Sequence, residues 1–351
     1  PFGKLFFILY FLPNTNSLVG KDENGNWIDY KVSQNKIPDL EKSFPGCSTG
    51  KGNLIFKRIS EMEGTWDIFK DKIEMDDIKQ GGLGDCYFLT AISALSNYPY
   101  LIKEKFRTIK YNPLGYYEVI LFIDGEWQIV FLDDYFIVDK RYGYFAFSKP
   151  NNCELWAILL EKAWAKVNGG YTLIIGGQIH EAFQVLTGFP SEYIPHGKIS
   201  QTELYKKILE SSKQKTLMGC SSNSGTNDQS VHGIVQGHAY AVTEAKSYGK
   251  VDLIKVRNPW GRKEWTGPWS DSSNLWTDEL RKEFNCIEKD DGVFWIDNQN
   301  YMSHFCQTTI SYILYGSFLK SIVIDKENLF GAPLFFNIKL KDDGKLSINT
   351  L

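Results

Sequence analysis

The chain has 351 residues, 43% of them hydrophobic and 15% aromatic, with a formal net charge of −3. This composition supplies a sizeable core for two or three domains and excludes a disordered chain, and it offers no basic field for nucleic acid or for stable membrane insertion. Cys47, Cys86, Cys153, Cys220, Cys286 and Cys306 are scattered without a C-x-x-C pair, which argues against zinc and for a reduced, cytoplasmic protein.

Residues 5–12 (LFFILYFL) are too few to cross a bilayer and lack the flanks of a signal peptide, so they read as a buried strand. The start at Pro1 and the stop at Leu351 read as a piece of a longer protein. Residues 13–65 are loop-rich, and Asp22-Glu23-Asn24-Gly25-Asn26 is a turn cluster without EF-hand ligand spacing.

At Gln80-Gly81-Gly82-Leu83-Gly84-Asp85-Cys86 the chain changes character. Glycines this dense exclude a helix interior and suit a loop whose backbone approaches another group closely. Phe88, Ala91, Ile92 and Leu95 then fall at helical spacing, so the pattern predicts an amphipathic helix with Asp85 as N-cap and Cys86 in the first turn. The unpaired amides and positive end of such a helix favour a thiolate, and the expected pKa of Cys86 is therefore low.

Residues 116–123 and 126–132 are β-rich, and Asp124-Gly125 between them signals a hairpin. A second helix is expected over about 153–167, with Trp156, Leu160, Ala163 and Val167 as its apolar stripe and Asn168-Gly169-Gly170 at its end. Trp156 and Trp164 read as core. The first half is thus helical with a small hairpin, and Gly188-Phe189-Pro190 marks a joint. Beyond it come a helix near 203–211, strands, and a polar loop at 221–229 expected to be mobile. From Phe318 a new strand-rich run begins.

Of the five histidines, only His238 has a suggestive setting. Residues 237–242 and 251–257 read as paired strands, and a three-residue loop at 247–249 puts His238 directly opposite Asn258 on the face of Tyr240, Val242, Ile254 and Val256. The other face carries Lys255 and Arg257. A two-residue loop shifts the register by one and breaks this pairing. An imidazole beside an amide is a general base with an orienter. Here the amide oxygen is expected to take the Nδ1 proton and leave Nε2 facing the nucleophile, a Cys-His-Asn triad with Cys86. Gln80, six residues before Cys86, suits an oxyanion donor beside the Cys86 amide.

Together these stretches resemble the calpain family of cysteine proteases. QGGLGDCYFL is similar to the family's cysteine motif, GHAYAV to its histidine motif and RNPWG to its asparagine motif. FKRISEM, ELWAILLEKAWAKVNGGY, MGCSS, EWTGPWSDSS and DGVFW extend the likeness over about residues 40–310. The resemblance implies an α+β, papain-like core of two subdomains, with Cys86 in a helical one (41–190) and His238 and Asn258 in a β-rich one (191–315). Residues 1–40 form an extension, and 316–351 the start of a β-sandwich domain, with further domains expected after it. It also implies an endopeptidase making limited cuts in protein substrates, and regulatory Ca²⁺ drawing the subdomains into register. One calcium site would use Asp77, its usual acidic partner being Thr172 here. The other would use Glu264, Asp271 and Asp291, with Val293 in place of a further glutamate. Trp260 would lie between the subdomains, and Tyr87 stands where the family usually has Trp. A silent calcium- or peptide-binding scaffold and a transglutaminase-like acyl transferase are the competing readings.

Overall fold

The computed structural model describes residues 54–313. The expected strand at 5–12, the extension 1–40 and the run from Phe318 onward lie outside them.

Strand β1 (Leu54–Arg58) leads into the loop before helix α1 (Cys86–Leu95), and a short helix α2 (Pro99–Lys103) follows. Strands β2 (Tyr116–Ile123) and β3 (Glu126–Asp133) form the expected hairpin. Its turn residues Asp124 and Gly125 have φ of 51° and 82°, the positive values that a two-residue turn between twisted strands demands. Strand β4 (Tyr135–Asp139) pairs antiparallel with β1. Helix α3 (Trp156–Asn168) starts three residues later than expected, because Asn152 and Cys153 sit in the left-handed region, and it ends at Gly169 with φ 91°. Helix α4 (Ile179–Thr187), not anticipated from sequence, completes this part.

Helix α1 departs from its expected amphipathic form. Every residue from Tyr87 to Leu95 is buried, as befits a helix enclosed on all sides. It packs on α4 and α3 and on two strands of the sheet described next.

After Gly188 the chain becomes a six-stranded antiparallel sheet built from β5 (Ser191–Pro195), β6 (Leu217–Ser222), β9 (Ala239–Tyr248), β10 (Val251–Arg257), β11 (Val293–Asp297) and β12 (Phe305–Ser311), in the order β11-β10-β9-β6-β12-β5. The two-residue strands β7 (Ser230–Val231) and β8 (Ile234–Val235) pair separately. Helix α5 (Gln201–Lys213) is longer than expected because Ser200 caps it, its hydroxyl accepting from the Glu203 amide at 3.3 Å. Helices α6 (Asp278–Phe284) and α7 (Asn298–His304) flank the sheet ends.

Strand alternation divides the core. Ala239 and Ala241 of β9 belong to the apolar cluster of α1, α3 and α4, whereas Tyr240, Val242, Ile254 and Val256 belong to a second cluster with Met218, Phe294 and Ile310. Small residues on the first face let α1 approach the strand. Among the described residues no helix is long and apolar enough to cross a membrane.

Candidate active site

Residues 79–85 run alongside residues 146–149. The Gly82 amide donates to the Ala146 carbonyl at 2.8 Å and the Lys149 amide to the Lys79 carbonyl at 2.8 Å. A Cβ on Gly81 would stand 1.8 Å from the Phe147 carbonyl oxygen, so only glycine lets the two backbones lie this close. On its other side the loop meets the sheet part, where the Gln80 amide donates to the Pro259 carbonyl at 3.0 Å.

Cys86 opens α1 as expected, and the Asp85 carbonyl accepts from Phe88 and Leu89. The Asp85 carboxyl, however, does not cap the helix. It is fully buried, and neither of its oxygens has a hydrogen-bond partner among the described residues. The expected depression of the thiol pKa is also reversed. Burial pushes Cys86 up to about 11, with nearby Asp85 adding to the rise, against the pull of the Ala239, Tyr87 and Cys86 backbone amides. Cys86 packs against the apolar cluster that includes Ala239, the residue after His238.

His238 is buried and held at its main chain by Ser222. The His238 amide donates to Ser222 Oγ at 2.9 Å, and the Ser222 amide and hydroxyl donate to the His238 carbonyl at 2.9 and 3.1 Å. Its ring lies between Tyr240, edge-on at 5.0 Å, and Trp260, tilted at 4.8 Å. Nε2 bonds Asn258 Oδ1 at 2.9 Å. The two ring nitrogens are therefore exchanged relative to expectation: Nε2 meets the amide, and Nδ1 is buried with no hydrogen-bond partner. The Asn258 amide is fixed at both ends, since Nδ2 donates to the Lys263 carbonyl at 3.1 Å and Oδ1 accepts from the Trp260 amide at 3.0 Å. With an oxygen facing it, Nε2 carries the proton and Nδ1 the lone pair. Burial lowers the His238 pKa to about 4, with the Asn258 hydrogen bond opposing and the Lys263 charge assisting.

The register that joins these residues differs from the expected one. Val251 pairs with Tyr248 across a two-residue turn, which alone would put His238 and Asn258 on opposite faces. A bulge intervenes: Lys255 pairs with Glu244 but Val256 with Val242, leaving Thr243 unpaired. The extra residue restores the face, and His238 and Asn258 become diagonal neighbours rather than direct partners. Arg257, expected on an outer face, is fully buried, donating to Ser93 Oγ at 2.7 Å and to the Ile78 carbonyl at 3.0 Å. It ties the end of β10 to α1.

Gln80 is at the site, and its Nε2 donates to the Leu83 carbonyl at 2.7 Å, so one of its two amide hydrogens is engaged within the loop. Tyr87 is buried, with its hydroxyl accepting from Trp164 Nε1 at 2.9 Å. Ser222, Arg257 and the burial of Glu161 in α3 were missed by sequence reasoning. The signal for Glu161 was a lone acid inside the apolar run WAILLEKAW.

The residues implied as calcium ligands are each held by the protein's own groups. Asp77 accepts from Asn151 Nδ2 at 3.3 Å and from the Glu74 amide at 2.8 Å, and Thr172 brings no charge. Glu264 Oε1 accepts from the Asp291 and Gly292 amides at 2.9 and 2.7 Å. Asp291 bonds the Val293 amide and faces the Lys289 ammonium at 3.2 Å, and Asp271 accepts from the Lys289 amide at 3.3 Å. Burial and mutual repulsion raise Glu264 to about 7 and Asp271 to about 6. Among the described residues no group of three or more histidine, cysteine, aspartate or glutamate side chains is placed to hold a metal ion.

Comparison with known proteins bears on this geometry. Residues 38–312 match the model of the family described as calpain family cysteine protease. A calpain-type cysteine protease, ADL1, of Oryza sativa subsp. japonica is 37% identical over 248 residues, covering 68% of this chain and 11% of that protein. The calpain-1 catalytic subunit of Mus musculus is 36% identical over 271 residues, covering 73% of this chain and 37% of the subunit, and the Homo sapiens subunit is 35% identical over 286 residues, covering 78% and 40%. The chain thus spans well under half the length of these relatives.

Proposed function

Because the chain belongs to the calpain family of cysteine proteases, we propose that it is a thiol endopeptidase making limited cuts in proteins, with Cys86, His238 and Asn258 as its triad. The helix-rich part described up to residue 190 supplies the nucleophile and the sheet part described from residue 191 to 313 the base, in the manner of a two-subdomain papain-like core. The observation that carries this is the orientation of the base. Asn258, fixed at both ends, accepts a hydrogen bond from Nε2–H and leaves Nδ1 bare at the start of the strand whose Ala239 shares an apolar cluster with Cys86.

Cys86 Sγ attacks the scissile carbonyl carbon as its proton passes to His238 Nδ1, and Asn258 Oδ1 supports the imidazolium through Nε2–H. The Cys86 amide and a Gln80 Nε2–H stabilise the oxyanion. His238 then protonates the leaving amine, and water, deprotonated at Nδ1, releases the acyl group from sulfur.

Cys86→Ala is expected to lower casein cleavage by about 1,000-fold or more, and a variant cleaving at the wild-type rate would refute the proposal. The competing reading is a silent scaffold. Failure of an epoxide thiol-protease inhibitor to form an adduct on Cys86 would select it. A cytoplasmic location and a continuation into a β-sandwich beyond residue 316 complete the reading. The resemblance also implies calcium control. The acidic side chains as placed form no coordination shell, so no step is routed through the ion. A calcium titration tests calcium control: cleavage and melting temperature that rise together support it, and a flat profile refutes it.

A further inference from the structure

The loop after β10 folds back on the base by way of one residue, Lys263. Its carbonyl accepts from Asn258 Nδ2 at 3.1 Å. Its ammonium lies over the Trp260 indole, 5.0 Å from the ring centroid. Trp260 is in turn the ring that lies against His238 at 4.8 Å, and its amide donates to Asn258 Oδ1 at 3.0 Å. These contacts close a ring: Lys263 holds Asn258 by its main chain and Trp260 by its side chain, and Asn258 and Trp260 are themselves joined. His238 is held by both, through its Nε2 hydrogen bond to the one and its ring contact with the other.

The backbone argues that this lysine is not there for the turn. Lys263 has φ 60°, in the left-handed region where a side chain is strained and glycine is at ease. A lysine there weakens the turn, and its side-chain contact offsets the loss. That contact is directional, because a cation is drawn to the electron-rich face of an indole. Trp260 has need of such an anchor. It is half-buried at the edge of the second apolar cluster, so enclosure alone does not fix its ring. We propose that Lys263 is a positioning residue for the base: its ammonium pins Trp260 against His238 while its carbonyl fixes the Asn258 amide. An exposed side chain thereby helps to aim a buried imidazole.

The role rests on His238 being the base, as proposed above, whereas the stack itself does not. The test therefore has two arms on the intact chain. In the first, the imidazole ring-proton resonances of His238 are followed by NMR at neutral pH, assigned by their loss in His238→Gln. They lie in the ring current of Trp260, and Trp260→Ala sets the value they take without it. Lys263→Met, which keeps the stem and removes the charge, moves them part of the way to that value, and Lys263→Arg leaves them in place. Lys263→Gly, which relaxes the turn, moves them as Lys263→Met does without lowering the melting temperature. Resonances unmoved in Lys263→Met, or moved as far in Lys263→Arg, overturn the proposal. In the second arm kcat and KM are measured on a fluorogenic peptide. Lys263→Met lowers kcat about two- to fivefold, the loss of one exposed cation–π contact, with KM unchanged, and Lys263→Arg recovers it. A kcat that Lys263→Met leaves unchanged, or that Lys263→Arg lowers equally, overturns the positioning role. A wild-type protein that cleaves nothing, and whose Cys86 takes no thiol-protease inhibitor, refutes the proposed function instead, and the His238 resonances then judge the stack on their own.

Discussion

The two halves of the molecule hold their reactive groups by different forces. The helical half fixes Cys86 by enclosure: α1 is buried from Tyr87 to Leu95, and α3 is buried from Trp156 to Ala163. The sheet half fixes His238 and Asn258 by hydrogen bonds, with Ser222 on the main chain of one and Lys263 and Trp260 on the amide of the other. Enclosure is stabilising but non-directional. Aiming a ring nitrogen needs directional contacts, and those come from strands and the loops between them.

The contrast is broken most forcefully in the helical half. Trp156 is fully buried and among the largest enclosed side chains, so Trp156→Ala is expected to cost about 3–5 kcal/mol in denaturant unfolding. Its loss of activity should follow the loss of folded protein alone. Asn258→Ala is the counterpart in the sheet half. It strips the hydrogen bond from His238 Nε2 and should lower kcat/KM about 10–100-fold, while the melting temperature shifts much less than in Trp156→Ala.

Titration separates the halves next. Burial lowers His238 and His196 to about 4. The unfolded chain takes up these protons near pH 6.5, so stability is complete above that value and is lost as pH falls from 6.5 to 4, by roughly 1–2 kcal/mol per histidine at pH 5. In the helical half burial raises Glu161 to about 7, so its contribution is present below the ordinary carboxylate range and is lost as pH rises to 7. Melting temperature against pH should show both slopes, with His196→Gln flattening the acid limb and Glu161→Gln the neutral one. The smallest effect is expected at the surface between the halves. Lys289 pairs with Asp76 at 2.9 Å but is 55% exposed, so Lys289→Ala should cost under about 1 kcal/mol.

What was legible in the sequence follows the same division. The Asp124-Gly125 hairpin, the span of α3 and the Cys86 turn are local events written in adjacent residues. That Tyr240, Val242, Ile254 and Val256 share one face was also read rightly, though the opposite face is buried as well. The bulge at Thr243 was not legible, since a two-residue turn and a bulge together give nearly the outcome of the longer turn expected. Nor was the exchange of imidazole nitrogens, which side-chain rotation decides and strand pattern does not. The burial of Arg257 escaped notice because its partners, Ser93 and the Ile78 carbonyl, are more than 160 residues away in the chain. The papain-like division of the chain and the calcium ligands came from resemblance rather than from any pattern in the residues.

Arg257 is bonded to Asn258, its neighbour in the chain, and its guanidinium is lodged in the opposite half. A molecule whose halves have drifted apart must drag that arginine out of its socket, and the adjoining asparagine cannot stay in place while it does so. Incorrect assembly thus disarms the base from within, and a half-joined copy of this chain is a poor cutter without any inhibitor to restrain it.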